Sequence, residues 1–424
     1  MAETTNTSQE HAGAAQSAAP KTLLIHGISR LYTMDPGREG LGVMENVSVL
    51  MSRYRPIQWI GPASEAPEAD TVVYATGLVG MPGLVDPHTH AIWAGSRAAE
   101  FAERLAGADY AEILERGGGI LSTVEATRRA SIDTLQDHFR LRLKQMYLRG
   151  VTCVEVKSGY GLDPETEYRM LSILNMKNWQ SPCARFVRTF LGAHTVPAEH
   201  RSNRSEYVRQ IIEEQLPLCA PSADFVDVYC DRGAFDLDES VAILKAGKDL
   251  GLKIRAHAEQ VSHTGIAEAA ANLGALALDH LEHVDDAGIA AMAAAGTTAV
   301  LLPGAQLYLR DKPPPVEAFR EAGIPMAVGT DLNPGSSPVH DLWTAATLSC
   351  LIQGLTIEEA VLGITRHAAQ AIGLPNSGVV QVGRNADIAL FAPPPGEPAT
   401  VESLVQHMGS PNAAHVVCRG VQVF

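Results

Sequence analysis

Five histidines and one aspartate stand at the ends of short apolar runs along the chain. His88 and His90 form the motif HTH at the end of the run GLVDPHTH. Alternate residues of a strand point to the same side, so both imidazoles could bind one metal ion, although a lone HxH is equally typical of a polar strand end. Three imidazoles and a carboxylate from this group would suit Zn²⁺ or Fe²⁺, with one position left for water. The other four members, which end later runs, are His194, His257, His280 and Asp331.

Eight β-rich runs carry these residues, and helical patterns separate the runs. The runs are residues 83–90, 151–159, 184–194, 223–230, 253–259, 275–280, 298–304 and 325–331. This alternation predicts a parallel sheet covered by helices, and eight units over about 250 residues match a (β/α)₈ TIM-like barrel. In such barrels the chemistry lies at the carboxyl ends of the strands, where all six residues fall. A doubly wound open sheet is the alternative.

Both flanks of the barrel are β-like and rich in turn residues. The segment after residue 376 contains the runs GVVQVG, ADIALFAP and HVVCRGVQVF. We therefore expect a small β-sandwich domain built from both chain ends, residues 21–81 and 374–424, around a barrel of residues 82–373. Residues 1–20 are rich in Ala, Ser and Thr and predict a disordered tail.

Composition excludes several classes of partner. The 424 residues carry a formal net charge of −15 without a basic stripe, which argues against nucleic acid. No apolar run reaches the roughly 18–20 residues of a membrane span, and the first residues lack the features of a secretory signal. Six scattered cysteines favour free thiols in a reducing cytoplasm.

Longer segments resemble the amidohydrolase superfamily and, within it, the imidazolonepropionase branch. They lie between about residues 81 and 338 and include PGLVDPHTH, GGGILSTV, KSGYGL, FLGAHTVP, RAHAEQ, DHLEHVD and GTDLNPGSSP. The HxH motif and the late aspartate occur throughout the superfamily. GGGILSTV and KSGYGL are much more specific to this branch.

The resemblance implies a role for individual residues. The metal ligands it implies, for one divalent ion per chain, either Zn²⁺ or Fe, are His88, His90, His257 and Asp331. The substrate-binding residues it implies are Arg97, Tyr160, His194, Gln260, Asn333, Gly335 and Ser336. Asp331 and His280 are the implied catalytic residues.

The implied reaction is hydrolysis of the cyclic amide of 4-imidazolone-5-propanoate to N-formimino-L-glutamate in histidine degradation. Asp331 would move the proton, and His280 would stabilise charge on the ring carbonyl oxygen. Arg97 could pair with the carboxylate tail, or instead form an ion pair with Glu100 or Glu103. The expected partner is this small ring amide, and the expected assembly is a homodimer.

Three other functions stay open from the sequence. They are a hydrolase of a hydantoin- or thiohydantoin-like ring propionate, an aminohydrolase of a heterocycle, and a non-catalytic relative that forms assemblies. Lys157 could also be a carbamylated lysine bridging two metals. Two positions depart from the expected pattern: Ser96 replaces Asn or Asp, and Gln260 stands where some members carry an acid that could accept a proton.

Overall fold

A computed structural model describes residues 21–107, 118–175 and 185–424 of the chain. The predicted disordered tail, residues 1–20, lies outside the described residues. Among the helices that are described, none has the length and apolar character needed to cross a membrane.

Eight parallel strands form one sheet in the order in which they follow along the chain. They are β6 (Leu84–Asp86), β7 (Val151–Lys157), β8 (Arg185–Ala193), β9 (Phe225–Cys230), β10 (Lys253–Ala258), β11 (Ala277–His280), β12 (Thr298–Leu301) and β13 (Met326–Val328). A parallel bridge between Thr89 and Leu332 joins the segments that follow β6 and β13, so the sheet closes on itself. The predicted (β/α)₈ barrel is confirmed, and the open sheet is excluded.

Helices connect these strands, and further helices follow the last of them. Their bounds are Ala98–Leu105, Ile120–Arg129, Ile132–Leu148, Pro164–Leu174, Arg204–Gln210, Leu216–Cys219, Leu237–Asp249, Ile266–Asn272, Asp286–Ala295, Pro303–Leu309, Val316–Glu321, Leu342–Leu348, Ile357–Gly363, Arg366–Ala371 and Val401–Gln406. The helix Leu237–Asp249 begins with a capping box between Asp236 and Glu239. It approaches β9 closely because Gly247 lacks a side chain: a Cβ there would lie 2.5 Å from a methyl of Val226.

Six of the eight predicted strands run past the observed ones at their carboxyl ends; the exceptions are β9 and β11. The first run was expected to reach His90, but β6 ends at Asp86, and the last was expected to reach Asp331, but β13 ends at Val328. Asp331 has a φ of 51°, which is incompatible with a strand. His88, His90 and Asp331 therefore lie beyond the strands, whereas His257 and His280 lie within β10 and β11.

A second sheet of eight strands is built from both chain ends, as expected. Its strands are β1 (Thr22–Tyr32), β2 (Val43–Ser52), β3 (Trp59–Pro62), β4 (Thr71–Tyr74), β5 (Val79–Pro82), β14 (Ile388–Phe391), β15 (Ala413–Cys418) and β16 (Val421–Gln422). They lie in the order β16-β15-β14-β5-β1-β2-β3, with β4 beside β1, and the antiparallel pair β5–β14 joins the two chain ends. The run GVVQVG is not a strand, which corrects the β-like interpretation of residues 378–383. Val380 instead donates one backbone hydrogen bond to Thr33.

The small domain is fixed to the barrel through an aromatic contact. Phe391 of β14 is fully buried and meets the ring of Trp343 edge-on, with 5.1 Å between ring centres. Gly150 makes room for Phe391, since a Cβ at that position would lie 2.5 Å from its ring. Gly150 precedes β7, so the contact lies at the amino ends of the barrel strands and leaves the carboxyl ends to the site.

Candidate metal centre and substrate cavity

His88 and His90 are held where the barrel closes. His90 N donates to the carbonyl of Leu332 at 2.9 Å, and Asp331 N donates to the carbonyl of His88 at 3.1 Å. The buried carboxylate of Asp86 accepts a hydrogen bond from the Thr330 hydroxyl at 2.6 Å and so ties the two segments together. Residues about 240 positions apart in the sequence thus meet at one point.

Three imidazole nitrogens converge beside this closure. His90 Nε2 lies 3.3 Å from His88 Nε2 and 3.3 Å from His257 Nε2. Two nitrogens at about 2.0–2.1 Å from one zinc ion, on neighbouring vertices of a tetrahedron, are about 3.3–3.4 Å apart. The spacing of the three nitrogens therefore matches that of ligands around a common ion.

Asp331 brings a carboxylate to the same group. Its Oδ1 lies 3.4 Å from His88 Nε2 and 3.6 Å from His90 Nε2. The left-handed backbone of Asp331, with φ 51°, turns the side chain toward the imidazoles. Such a conformation is uncommon outside glycine and costs free energy, so the surrounding structure must hold it in place.

The chemistry of these donors fits a divalent ion. Burial lowers the pKa values of His88, His90 and His257 well below their usual range, so the imidazoles are neutral, as metal ligands must be. Burial raises the pKa of the Asp331 carboxyl well above its usual value. A cation held against that carboxylate would act in the opposite direction, because it favours the charged form.

Two aspartates that the sequence analysis missed contact two of the candidate ligand imidazoles on the side away from the converging nitrogens. His257 Nδ1 lies 3.1 Å from Asp227 Oδ1, and His88 Nδ1 lies 3.2 Å from Asp279 Oδ2. A carboxylate at Nδ1 fixes the tautomer in which Nε2 presents its lone pair to a metal. The signal that could have found them is a charged residue within an otherwise apolar strand, as in FVDVYC and ALDH.

Lys157 is fully buried beside these two aspartates, and its ammonium lies among three carboxylates. Its Nζ is 2.8 Å from Asp227 Oδ2, 3.0 Å from Glu155 Oε1 and 3.7 Å from Asp279 Oδ2. A carbamylated lysine would carry a negative charge into this acidic surrounding. The geometry therefore argues against the carbamate alternative and for a charged ammonium.

His280 extends the cluster toward the cavity. Its ring centre lies 5.5 Å from that of His257 and 5.8 Å from that of His88. Burial lowers the pKa of His280 to about 4. His280 and Glu259 share the left-handed backbone of Asp331, with φ 76° and 55°. The same uncommon conformation therefore occurs at the ends of β10 and β11 and shortly after β13, and no spacing rule in the sequence reveals it.

All seven predicted substrate-binding residues border one cavity of about 400 Å³, together with His90, His257, His280 and Asp331. His194 stacks on His90 with ring centres 4.8 Å apart, and its Nδ1 is fixed by the carbonyl of Gly159 at 2.9 Å. Tyr160 packs against both rings, and burial raises the pKa of its phenol, so the hydroxyl keeps its proton as a hydrogen-bond donor.

Arg97 makes the ion pair that the sequence analysis left as an alternative. Its Nε donates to Glu100 Oε2 at 2.5 Å, and Glu100 also accepts hydrogen bonds from Gly119 N and the Ser122 hydroxyl. Gly119 and Ser122, both from the GGGILSTV motif, thus help to hold Arg97 through Glu100. Gly335 leaves space for the guanidinium, since a Cβ there would lie 3.2 Å from Arg97 Nη1. Arg97 also borders the cavity, so pairing and access to substrate are compatible.

The loop after Asp331 is organised by Asn333. Its Oδ1 accepts hydrogen bonds from the backbone N–H groups of Gly335 and Ser336, both at 2.8 Å. Its Nδ2 donates to the Asp331 carbonyl at 2.7 Å. Asn333 lines the cavity as predicted, but its amide is engaged within its own loop, so it shapes that wall of the cavity.

The two departures from the expected pattern have different surroundings. The Ser96 hydroxyl accepts a hydrogen bond from Ala98 N at 3.3 Å, so it supports the start of the helix Ala98–Leu105. Gln260 borders the cavity with 8 % of its surface exposed. Its neighbour Glu259 directs Oε1 to Gly265 N at 2.8 Å, away from the role of a base in the cavity.

We expect His257→Ala to abolish metal binding, because it removes one of three converging imidazoles. The loss of affinity should exceed the roughly 10–100-fold that removal of a ligand's hydrogen-bond partner costs. Elemental analysis after dialysis measures the ion content per chain. His415→Ala, in the small-domain strand β15, is the matched control and should keep its metal. A fully loaded His257→Ala variant would contradict the ligand assignment.

Comparison with known proteins agrees with this geometry. The amidohydrolase family model matches residues 79–423. An imidazolonepropionase of Idiomarina loihiensis is 44% identical over 84% of this chain and 88% of its own length. That of Paracidovorax citrulli is 46% identical over 79% and 82%.

Solved structures share the fold at low sequence identity. A zinc-bound atrazine chlorohydrolase mutant from Arthrobacter aurescens TC1 superposes with a TM-score of 0.72 at 18% identity, over 94% of each chain. A zinc-bound adenosine deaminase from Xanthomonas campestris gives 0.70 at 17% identity, over 94% of this chain and 92% of its own. From its fold and its curated relatives together, the chain belongs to the amidohydrolase family and, within that family, to the imidazolonepropionases.

Proposed function

We propose that the protein hydrolyses the ring amide of 4-imidazolone-5-propanoate to N-formimino-L-glutamate, a step of histidine degradation. The observation that carries the proposal is one cavity with a metal-binding group at one end and arginines at its wall. Curated relatives at 44–46% identity are named for this activity. An anionic ring amide is the substrate class that suits both ends of the cavity.

The carboxylate tail of the substrate would bind at the arginine wall. Arg97 is aligned by Glu100, which also offsets its charge. Arg104 borders the same cavity and donates to the Gly335 carbonyl at 3.3 Å. The pair Arg97–Glu100 is neutral as a whole, so Arg97 would offer its remaining N–H groups to the carboxylate. Arg104 would add the net positive charge that a carboxylate requires in a partly dry pocket.

The ring amide would lie between Asp331, His280 and Tyr160. A divalent ion at the three imidazoles, zinc or iron, would supply a Lewis acid there. Asp331 would take a proton from the attacking water and return it to the ring nitrogen. His280 would stabilise negative charge on the carbonyl oxygen, and the Tyr160 hydroxyl would orient the ring.

The reaction balances with water as the only co-substrate. The water oxygen adds to the ring carbonyl carbon, the bond from that carbon to the ring nitrogen breaks, and the nitrogen leaves with a proton. Gln260 cannot accept a proton, so its amide serves as a hydrogen-bonding group and Asp331 is the base of this proposal.

The setting of the enzyme is also part of the proposal. Cys153, Cys219, Cys230 and Cys350 are free thiols, and free thiols favour a reducing cytoplasm. The expected homodimer stays a prediction.

Asp331→Asn should lower kcat far more than it lowers stability. The amide can still offer an oxygen to the ion but cannot shuttle a proton, so we expect a loss of about 10²–10⁴-fold. Steady-state kinetics with metal-saturated protein, and thermal unfolding of the same samples, separate the two effects. Asp137→Asn, on an exposed helix face, is the control. Near-normal kcat would remove Asp331 from the role of base.

Arg97→Met should impair selection for the carboxylate tail. Loss of a charged hydrogen-bonding partner costs about 1.5–3 kcal/mol, or about 10–150-fold in kcat/KM. The loss should be large for 4-imidazolone-5-propanoate and small for the same ring without the tail. The double variant Arg97→Met, Glu100→Gln tests whether the stranded Glu100 carboxylate contributes to the loss.

The exposed Arg209→Met serves as the control for loss of an arginine elsewhere. Equal losses for both substrates would mean that Arg97 supports the fold of the site and does not bind the tail.

A further inference from the structure

Five charged side chains are fully buried beneath the metal-binding group. Glu155, Asp227 and Asp279 are the acids, and Lys157 and Arg255 are the bases, all with 0% exposure. Burying charges is costly unless each is paired in good geometry, so such a layer persists only if its members are mutually compensated. Two of the acids contact ligand imidazoles, which links this layer to the metal centre.

The two cations make their closest contacts with different carboxylates. Arg255 holds Asp279 with two hydrogen bonds, Nε to Oδ2 at 3.1 Å and Nη2 to Oδ1 at 2.7 Å. Its contact with Asp227 is longer, at 3.8 Å from Nε to Oδ2. Lys157, in contrast, lies 2.8 Å from Asp227 Oδ2. Asp227 therefore depends mainly on Lys157 for its compensating charge.

Asp227 in turn fixes His257. One oxygen, Oδ1, lies 3.1 Å from His257 Nδ1 and accepts a hydrogen bond from His257 N at 3.2 Å. The other oxygen, Oδ2, faces the Lys157 ammonium. The Asp227 carboxylate thus connects Lys157 to a ligand imidazole, with each oxygen serving one neighbour.

We propose that Lys157 is a positioning residue of the metal centre, which acts on His257 through Asp227. Without the ammonium, three buried carboxylates would face each other with Arg255 as the one remaining cation of the five. Asp227 would then leave its position, and His257 would lose the partner that directs Nε2 to the ion. The inference rests on the proposed metal site.

The test measures metal affinity, with and without Asp227. Lys157→Met keeps the length of the side chain and removes the charge. Competition with a chromophoric chelator for Zn²⁺ should give a dissociation constant at least about 10-fold weaker than wild type. Lys253→Met is the matched control and should bind Zn²⁺ like wild type. The Lys253 ammonium lies near the Phe225 ring, at the end of β10 away from His257.

A double-mutant cycle identifies the route. If Lys157 acts through Asp227, then Lys157→Met combined with Asp227→Asn should bind Zn²⁺ no more weakly than Asp227→Asn alone. This comparison still tests the role of Lys157 if Lys157→Met alone does not fold. The double variant removes one charge of each sign, so it leaves the net charge of the buried group unchanged. Thermal unfolding of the metal-free proteins reports on folding separately.

Two results would overturn the inference: wild-type affinity in Lys157→Met, or losses that multiply in the double variant. Either can occur while His257→Ala still loses its metal. Failure of this inference is therefore distinguishable from failure of the metal site itself.

Discussion

Closure of the barrel between its first and last strands is the constraint on which the site depends. Two backbone hydrogen bonds, from His90 N to Leu332 O and from Asp331 N to His88 O, join the two segments at the carboxyl edge of the barrel. They place two imidazoles and a carboxylate within ligand distance although the residues are far apart in the sequence. An open sheet with the same strands would leave Asp331 without His88 and His90.

The buried charged layer makes that closure specific. Arg255 donates to the carbonyl of Pro87, the residue before His88, at 2.9 Å. It also makes a bidentate hydrogen bond to Asp279. Glu155 accepts a hydrogen bond from Thr89 N at 3.2 Å, between the two histidines of the motif. The charged side chains of β7, β10 and β11 therefore hold the backbone of the HTH segment and the imidazole of His88. Hydrogen bonds and ion pairs among these side chains and the HTH backbone offset the cost of burying the charges, and they favour a single arrangement of the segment.

Much of the fold could be predicted from the sequence because its signals are local. Eight apolar runs, each followed by a helical pattern, are enough to indicate the barrel, and His257 and Asp331 stand out as polar groups ending such runs. The left-handed backbone of His280 and Asp331 could not be predicted, since neither is glycine and the surrounding fold imposes the conformation. The pairing of Arg97 with Glu100 was one alternative among two, and only the three-dimensional structure decides it. Asp227 and Asp279 were missed because their importance comes from neighbours on other strands.

The most direct test of the account is the fate of the substrate carbonyl in isotopically labelled water. Zinc- or iron-loaded protein is incubated with 4-imidazolone-5-propanoate in H₂¹⁸O, and the product is identified by mass spectrometry. The account predicts N-formimino-L-glutamate with one ¹⁸O in the new carboxylate, and no product from His257→Ala. An unopened ring, or opening confined to a hydantoin or thiohydantoin propionate, would contradict it.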